Sequence, residues 1–548
     1  MLIDAAAAAA AAADDDDDGA CIDARKFPKM SNRETVVFAV LIVLSITLIA
    51  LGVGILLGFS SILETLVKSG TSLTKNGKVT KSWVDPKFDV RMQFWFFNTT
   101  NPDEVLEGGI PSVTEIGPFT FKELQPKADV EWEGDAIVNY KTNKSYYFVR
   151  EESVADLDTF VTVPNIPFWT TLNILRKKFK TSGWILSLLL DTFLAEAPYL
   201  VNEVTVGEML FEGYDDRIFK MLNFLKTFGV HVPGLKKKMG LFYEKNGTAS
   251  ANFRIYTGSS DSSLRGKIIE WDNRSTLDLW STAGANFING SDGTIYHPFI
   301  KKNERLYSYV PDMCRSVFWE YANEEVTMKG IPALKFRVSP KNSEKSDVND
   351  GFCYNSTDNY FGHVCDLDPG MKCLPQGFLY VGSAPSLLCK SEQGWSNAPI
   401  VMTQVRFLNM QKCIFDGIDG LEPPNADEFQ TDMIIEPTTG TGLQFNRRLQ
   451  INVALFSAPL FPAISKIQPV IVPLVWLNES AVVDDDTASM LYNQLVVTRR
   501  AAIGGAIALV VIGSILAIVV LALIARKYLL KKNLKISALD DSPVAETT

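Results

Sequence analysis

Cysteines are the side chains whose number and spacing say most about the chemistry of this chain. One stretch holds six of the seven, and Cys21 stands alone near the N-terminus. An even, clustered set in a domain outside the cytosol predicts disulfide bonds. A zinc site is the alternative, but no pair is spaced CxxC and His363 has no second histidine close by. Spacing alone leaves open the pairing of Cys314, Cys353, Cys365, Cys373, Cys389 and Cys413.

Asparagines in N-x-S/T triplets are a second group of modifiable side chains. All seven lie in the long stretch between two apolar blocks, and no triplet lies outside it. Because that stretch is most of the chain, their number carries more weight than their location. They predict an N-glycosylated domain in the secretory pathway. The acceptor asparagines are Asn98, Asn143, Asn246, Asn273, Asn289, Asn355 and Asn478.

Basic residues form two short runs in a chain whose net charge is −10. The first run comprises Arg176, Lys177, Lys178 and Lys180, and the second covers residues 236–238. A local cationic surface on an acidic protein could attract anionic ligands such as fatty acids, phospholipid headgroups or lipoproteins. A solvated helix face explains the same charges equally well.

Residues for catalysis are sparse. The sequence has no HExxH, GxSxG or P-loop motif, and only three histidines. We therefore expect neither an enzyme nor a cofactor or metal site, although an ecto-enzyme would share the same topology.

Two apolar blocks, residues 35–59 and 501–525, are long enough to cross a bilayer as helices. The first is too long for a secretory h-region, so an uncleaved signal-anchor is expected. Neither block carries an ionisable residue, which argues against a ligand-gated channel with two spans. The basic residues that flank the blocks place both tails in the cytosol. Arg499 and Arg500 lie on the other side of the second block, but the five basic residues that follow it outnumber them. The cytosolic basic residues are Arg25, Lys26, Lys29, Arg33, Arg526, Lys527, Lys531, Lys532 and Lys535.

These spans divide the chain into five parts. Residues 1–34 form an alanine- and aspartate-rich tail that we expect to be disordered, and residues 526–548 form a second cytosolic tail. Between the spans, residues 60–499 form the ectodomain. Its apolar residues alternate, which predicts strands. The alternation is clearest in Val401, Thr403, Val405 and Phe407, and in Leu449, Ile451, Val453 and Leu455.

One part of the ectodomain, residues 167–241, has helical spacing instead. Leu172, Leu175 and Phe179 share a face, a dense apolar run follows from Trp184 to Leu194, and Ile218, Phe219, Leu222 and Leu225 share another face. This spacing predicts a small helical bundle inserted into a β-rich domain. The fold class is therefore an α+β membrane protein with two transmembrane helices.

Short motifs along the ectodomain resemble the class B scavenger receptor superfamily. They occur in the order of that family and cover nearly the whole ectodomain. The motifs span residues 94–98 (FWFFN), 101–105 (NPDEV), 116–121 (IGPFTF), 240–243 (GLFY), 288–293 (INGSDG), 314–316 (CRS), 329–332 (KGIP), 351–353 (GFC), 418–421 (IDGL), 435–440 (IEPTTG) and 473–479 (PLVWLNE).

The resemblance implies a fold and a function. The ectodomain would be a twisted antiparallel, barrel-like sheet with an apical helical bundle at 167–241 and a hydrophobic tunnel toward the bilayer. The protein would be a cell-surface receptor for lipids, fatty acids or lipoproteins, with no nucleic-acid partner, and homo-oligomers would be compatible with it. A sorting or adhesion receptor for a protein partner is the alternative. The resemblance also implies pairing Cys314 with Cys389, Cys353 with Cys373, and Cys365 with Cys413.

Two positions depart from the family pattern, and one feature of the C-terminal tail bears on the location of the protein. Ala285 stands where a family cysteine is frequent, and Ala195 or Glu196 stands where fatty-acid-binding members carry lysines. The basic run that begins at Arg176 is therefore the nearest candidate for an anionic ligand. Leu529 and Leu530 lie among lysines rather than in an acidic dileucine signal, so the plasma membrane is expected over endosomal or lysosomal membranes.

Within the first span, Gly54 and Gly58 form a GxxxG motif that could support helix association.

Overall fold

The structure is a computed structural model. It describes residues 31–178, 201–220, 238–344, 346–352, 377, 379–380, 398–410, 412–457 and 464–540; for 174–178, 201–202, 380 and 531–540 only the backbone is described. Most of the predicted disordered tail, the apolar run from Trp184 to Leu194, and positions 195 and 196 lie outside these residues.

Two long helices carry the apolar blocks, and short helices connect the strands. The α-helices are α1 Asn32–Thr71, α2 Lys78–Val84, α3 Pro102–Leu106, α4 Ile166–Lys178, α5 Ala283–Asn286, α6 Ala426–Phe429, α7 Asp485–Leu491 and α8 Thr498–Asp540.

Strands account for most of the ectodomain. They are β1 Asp89–Thr99, β2 Val113–Leu124, β3 Lys127–Glu133, β4 Ile137–Phe148, β5 Phe160–Pro164, β6 Val201–Thr205, β7 Thr248–Ala249, β8 Phe253–Tyr256, β9 Ile268–Trp271, β10 Leu306–Val310, β11 Arg315–Met328, β12 Ile331–Val338, β13 Leu379–Tyr380, β14 Ile400–Thr403, β15 Asp432–Glu436, β16 Thr441–Leu455 and β17 Val470–Val482.

One antiparallel sheet of 15 strands organises the ectodomain. Its main path runs β10-β11-β12-β15-β16-β17-β1-β2-β4-β8-β9, and β5 and β6 form a separate hairpin. Over the described residues this path has two ends, β10 and β9. The sheet is therefore antiparallel, as predicted, but it does not close into a barrel. The first and last strands of the ectodomain, β1 and β17, pair with each other near the middle of the sheet.

Both alternating segments contain strands, but only one is extended throughout. Leu449 to Leu455 lie in β16, as predicted. The other segment leaves its strand after Thr403 and forms a short 3₁₀ turn, Val405–Phe407. The reason is Arg406, whose φ of 48° is incompatible with a strand. Val405 and Phe407 remain fully buried, so their apolar character reflects packing and not strand geometry.

In the region 167–241, the described residues are helical only in part. Helix α4 and the burial of Ile218 and Phe219 agree with the helical spacing, whereas the region also contains strand β6, which pairs with β5 just before the region. The positions of Leu222 and Leu225 lie outside the described residues. Helical spacing alone could not reveal β6, because its five residues are too few for a periodic signal.

Helix α4 begins deep in the core. The side chain of Asn165 accepts a hydrogen bond from the backbone N–H of Phe168 at 2.9 Å, which caps the helix. Its amide also donates to Asp216 Oδ2 at 3.1 Å, and Asp216 Oδ1 accepts from the N–H of Ile218 at 2.9 Å. A single buried Asn–Asp contact therefore joins the starts of two helical segments. Residues Ile166, Phe168, Trp169 and Leu172 are at most 2% exposed.

The membrane-spanning helices form a compact unit of their own, separate from the unit Val67–Ser489. Two helices are long and apolar enough to cross a membrane, Asn32–Thr71 and Asp485–Leu530, and they contain the predicted spans. The two helices pack at Gly52, beside Ala506 and Val510, and at Gly513, beside Ser45 and Ile49. Among the described residues, nothing lies within 4 Å of a Cβ placed at Gly54 or Gly58, so the GxxxG motif does not form the contact between the two spans of this chain. Its role in association between chains remains a prediction. Lys527 and Glu34 form an ion pair between the helices.

Enlarging Gly513 is expected to separate the two spans. A Cβ at this position would lie 2.8 Å from Ile49 Cγ1 and 2.9 Å from the carbonyl oxygen of Ser45. Gly513→Leu should weaken helix pairing by about 1–3 kcal/mol, whereas Gly54→Leu should be neutral. The measurement is cross-linking between cysteines introduced at Glu34 and Lys527. Equal yields in both variants would contradict this helix packing.

Candidate functional site: the inner face of the sheet

The inner face of the sheet is the face that carries Met92, Phe94 and Phe96 of β1, which are at most 5% exposed. Directly paired residues on antiparallel strands point to the same face, and so do alternate residues along a strand. The register places Phe119 and Glu479 on this face, because Phe94 pairs with Phe119 and Met92 pairs with Glu479. The side chains on this face fall into an apolar layer and a polar one.

The aromatic layer consists of rings from three strands, the short π-helical segment Glu208–Glu212 and one turn. Phe94 packs edge-on against Phe121 with ring centres 5.8 Å apart, and Phe121 lies 4.9 Å from Phe211. Phe211 lies 5.5 Å from Phe242 and 5.0 Å from Tyr146. Three rings of the layer stay partly exposed although they pack against the core: Phe148, Phe211 and Phe242.

Next to this layer lies the polar belt, defined by Glu123, Lys144, Arg447 and Glu479. Each belt residue stands two positions along its strand from an apolar residue of the inner face. Lys144 Nζ lies 2.9 Å from Glu123 Oε1, and Arg447 Nη1 lies 3.4 Å from Glu479 Oε2. Gln125 donates a hydrogen bond of 2.8 Å to Glu479 Oε1. The belt therefore contains two acid–base pairs on the same face as the core.

Cations and carboxylates of the belt differ in exposure. The side chains of Glu123 and Glu479 are 0% and 9% exposed, whereas those of Lys144 and Arg447 are 35% and 33% exposed. All four lie on the inner face of the sheet, and most of the exposed surface of the belt belongs to its two cationic side chains. The carboxylates lie behind it and partly balance its charge.

Burial and the neighbouring charges shift the pKa values of the belt. Burial and the nearby Glu479 raise the pKa of Glu123, although Lys144 opposes them. Burial alone would raise the pKa of Glu479, but Arg447 and Lys144 lower it. Burial disfavours the charge of Lys144, but Glu123 and other acidic groups raise its pKa. Glu479 and Lys144 are therefore charged at neutral pH.

A third ion pair joins Lys127 to Asp292 of the motif at 288–293, and both side chains are buried. Lys127 Nζ lies 3.1 Å from Asp292 Oδ2, with side chains 3% and 8% exposed. Tyr140 donates a hydrogen bond of 2.7 Å to Asp292 Oδ2, and Thr294 Oγ1 donates one of 2.6 Å to Asp292 Oδ1. The ammonium group also lies 4.7 Å from the ring centre of Tyr140. This closed network gives the motif a structural role.

Three of the four basic residues predicted to bind ligand belong to the end of α4. Its backbone is described as far as Lys178, so Arg176, Lys177 and Lys178 form its last turn, while Lys180 lies outside the described residues. The helix leads from the buried start at Asn165 to this basic end. In the second basic run, positions 236 and 237 also lie outside the described part of the chain.

Two of the ectodomain cysteines are described, Cys314 and Cys413, and both are disulfide-bonded. The other four, Cys353, Cys365, Cys373 and Cys389, lie outside the described residues, as does Cys21. The three implied pairings remain predictions.

The sequons differ in accessibility. Asn246 and Asn273 are exposed and are the most accessible acceptors, whereas Asn355 lies outside the described residues. The other asparagines are half-buried: Asn98, Asn143, Asn289 and Asn478. Glycosylation at each remains a prediction. Across the described ranges, no three His, Cys, Asp or Glu residues are grouped so that they could hold a metal ion.

An apolar helix near each end and a large antiparallel-sheet domain between them define a two-span membrane protein. The profile of the CD36 family matches residues 41–524, and the chain belongs to that family. Lysosome membrane protein 2 of Rattus norvegicus is 33% identical over 454 residues, which cover 82% of this chain and 86% of the relative. Scavenger receptor class B member 1 of Sus scrofa is 27% identical over 473 residues, covering 86% of each. These relatives confirm the resemblance stated from the motifs.

The motifs did not reveal the polar belt as a site, although the motif at 473–479 ends with its residue Glu479. A signal was present in the strand period, since Glu123 follows Phe119 and Phe121 at alternate positions, and Glu479 follows Val475 and Leu477 in the same way. A carboxylate in phase with buried residues is a candidate for an interior site.

Proposed function

We propose that this protein is a non-enzymatic, scavenger-receptor-like membrane receptor that binds lipids or lipoproteins and passes lipid through its ectodomain. The observation that carries the proposal is the inner face of the sheet, where Phe148, Phe211 and Phe242 remain partly exposed in an apolar layer. Membership of the CD36 family and similarity to a class B scavenger receptor support it.

The physical reason for an interior route is the cost of exposing an acyl chain to water. Each buried CH₂ group contributes about 0.8 kcal/mol, so a chain of about 14 methylenes costs roughly 11 kcal/mol to expose. An apolar path from the apical region to the bilayer removes most of this barrier. The aromatic layer would form part of that path.

Lipids that copurify with the full-length protein provide the direct test. The protein is purified from cells in detergent, its ligands are extracted, and mass spectrometry compares them with those of an unrelated two-span protein. Enrichment of particular single- or double-chain lipids supports the proposal. A lipid content equal to that of the unrelated protein would contradict it.

Charge reversal at the end of α4 tests ligand capture. We propose that Arg176, Lys177, Lys178 and Lys180 attract anionic lipoproteins, so changing all four to Glu should lower binding about tenfold or more. The matched control reverses four exposed lysines elsewhere in the ectodomain. Binding to cells is measured at equal surface expression, and unchanged binding in the α4 variant would exclude this site. The control positions are Lys75, Lys122, Lys267 and Lys301.

We propose the plasma membrane as the main location. The dileucine Leu529–Leu530 lies in a basic context, unlike an acidic sorting signal. A relative with a lysosomal name, at 33% identity, makes the lysosomal membrane the second candidate. Surface biotinylation of the untagged chain separates the two, because a lysosomal protein would remain largely unlabelled.

A further inference from the structure

The polar belt differs from a purely structural ion-pair network, because its two cationic side chains are partly exposed while their carboxylate partners are buried. Structural pairs in a core are normally closed, as Lys127 and Asp292 are, with side chains 3% and 8% exposed. The belt cations Lys144 and Arg447 instead keep a third of their surface accessible while their carboxylate partners are buried. The accessible part of the belt thus belongs to the two cationic side chains, which lie on the inner face of the sheet; Arg447 Nη2 also donates to the carbonyl oxygen of Gly293 at 3.4 Å.

The belt is also continuous with the aromatic layer. Glu123 and Phe121 are alternate residues of β2, and Lys144 and Tyr146 are alternate residues of β4. Alternate residues of a strand lie about 7 Å apart on one face. A molecule that contacts the belt with one end can therefore contact the rings with the next part of its length.

An amphiphile with an anionic head matches this arrangement. The lowered pKa of Glu479 depends on both Arg447 and Lys144, so the two cations act on the same region of the inner face. An oxyanion would accept charge-assisted hydrogen bonds from either cation, and an uncharged head would leave both without this partner. The partly exposed rings of the layer would cover the first methylenes of the chain.

Building on the function proposed above, we infer that the polar belt is an internal site for the anionic head of a single-chain lipid. Lys144 and Arg447 bind the head, Glu123 and Glu479 hold the two cations in place, and the aromatic layer contacts the acyl chain. The belt would select among amphiphiles inside the domain, after capture at its surface.

The experiment compares palmitate with cetyl alcohol, which has the same chain length and no charge. Both are titrated into the full-length protein in nanodiscs. The variants remove each pair as a unit, Glu123→Gln with Lys144→Met and Arg447→Met with Glu479→Gln, so that no buried charge is left unpaired. The matched control is Asp129→Asn with Lys141→Met, an outer pair with Nζ 2.9 Å from Oδ2 and side chains 62% and 40% exposed.

The expected result is a fall of about ten- to one-hundred-fold in palmitate affinity in both belt variants, with little change for cetyl alcohol. The control pair should change neither affinity, and thermal midpoints confirm that all variants fold. Unchanged palmitate affinity in the belt variants, or an equal fall for both probes, overturns the belt as a head-group site. If the unaltered protein binds neither probe, the proposed lipid-receptor function fails, and the belt site fails with it.

Discussion

Replacing Asp292 with asparagine is expected to destabilise the ectodomain by about 3–5 kcal/mol, because the change leaves the Lys127 ammonium group buried without its counter-charge. The two side chains are 8% and 3% exposed and lie 3.1 Å apart. Asparagine has the same shape but one acceptor oxygen, so its NH₂ group must face either Lys127 and Tyr140 or the two donors of Thr294. The loss therefore combines the missing charge with lost hydrogen bonds. The measurements are the thermal midpoint of the purified full-length protein and its level at the cell surface.

A double variant tests whether the charges of Lys127 and Asp292 stabilise each other. Lys127→Met combined with Asp292→Asn removes both charges and should recover more than half of the stability lost in Asp292→Asn. A double variant as unstable as the sum of the two single variants would show that the charges do not interact.

Acid sensitivity follows from the same carboxylate. Burial alone would raise the pKa of Asp292, but Lys127 and hydrogen bonds from Thr294 and Tyr140 lower it to about 2. An acid with a lowered pKa stabilises the fold above its ordinary pKa, and that contribution is lost as the pH falls toward the folded value. The unaltered protein should therefore lose about 2 kcal/mol between about pH 4 and pH 2. The Asp292→Asn variant should lose less over this interval, and parallel stability curves would contradict the assignment.

The second large effect is expected at Gly440, which ends the motif at 435–440. Its φ is +69°, and a Cβ would lie 2.2 Å from the carbonyl oxygen of His297 and 2.6 Å from that of Tyr296. Both contacts are backbone atoms that cannot move without disturbing their own segments. Gly440→Ala should therefore cost about 3 kcal/mol or more, from the left-handed backbone together with the overlap.

Gly442 supplies the matched control for this prediction. It lies two residues further along the chain, and nothing occurs within 4 Å of its missing Cβ. Gly442→Ala should change stability by less than about 0.5 kcal/mol. Thermal unfolding of the two full-length variants makes the comparison, and similar midpoints would argue against a strained turn at Gly440.

Sequence patterns predicted elements better than they predicted their ends or their partners. The apolar blocks predicted both long helices because a span needs only length and hydrophobicity. The strand period predicted β16 but not the turn at Arg406, since a single residue with positive φ leaves no periodic trace. The helix contact at Gly513 instead of Gly58 was equally hidden, because each glycine lies in a uniformly apolar block.

The sequence predicted which face of its strand each belt carboxylate occupies, but not which residues of the site lie close together. Alternation assigns Glu123 and Glu479 to the core side of their strands, but it does not show that β1 brings them close together. That depends on pairings between strands far apart in sequence. Motifs such as 288–293 and 435–440 were recognised as family features, yet their network around Asp292 and the turn at Gly440 emerge only in three dimensions.

The pairing of β1 with β17 has a consequence for biosynthesis. Nearly the whole ectodomain lies between these strands in sequence, yet Asp89 is paired with Val482. The pairing of β1 with β17 therefore cannot form during translation until β17 has been synthesised, and until then the edge of β1 that binds β17 stays unpaired. Nascent chains that stop before residue 470 should stay associated with chaperones and be degraded, which makes completion of this strand a quality-control step for the protein.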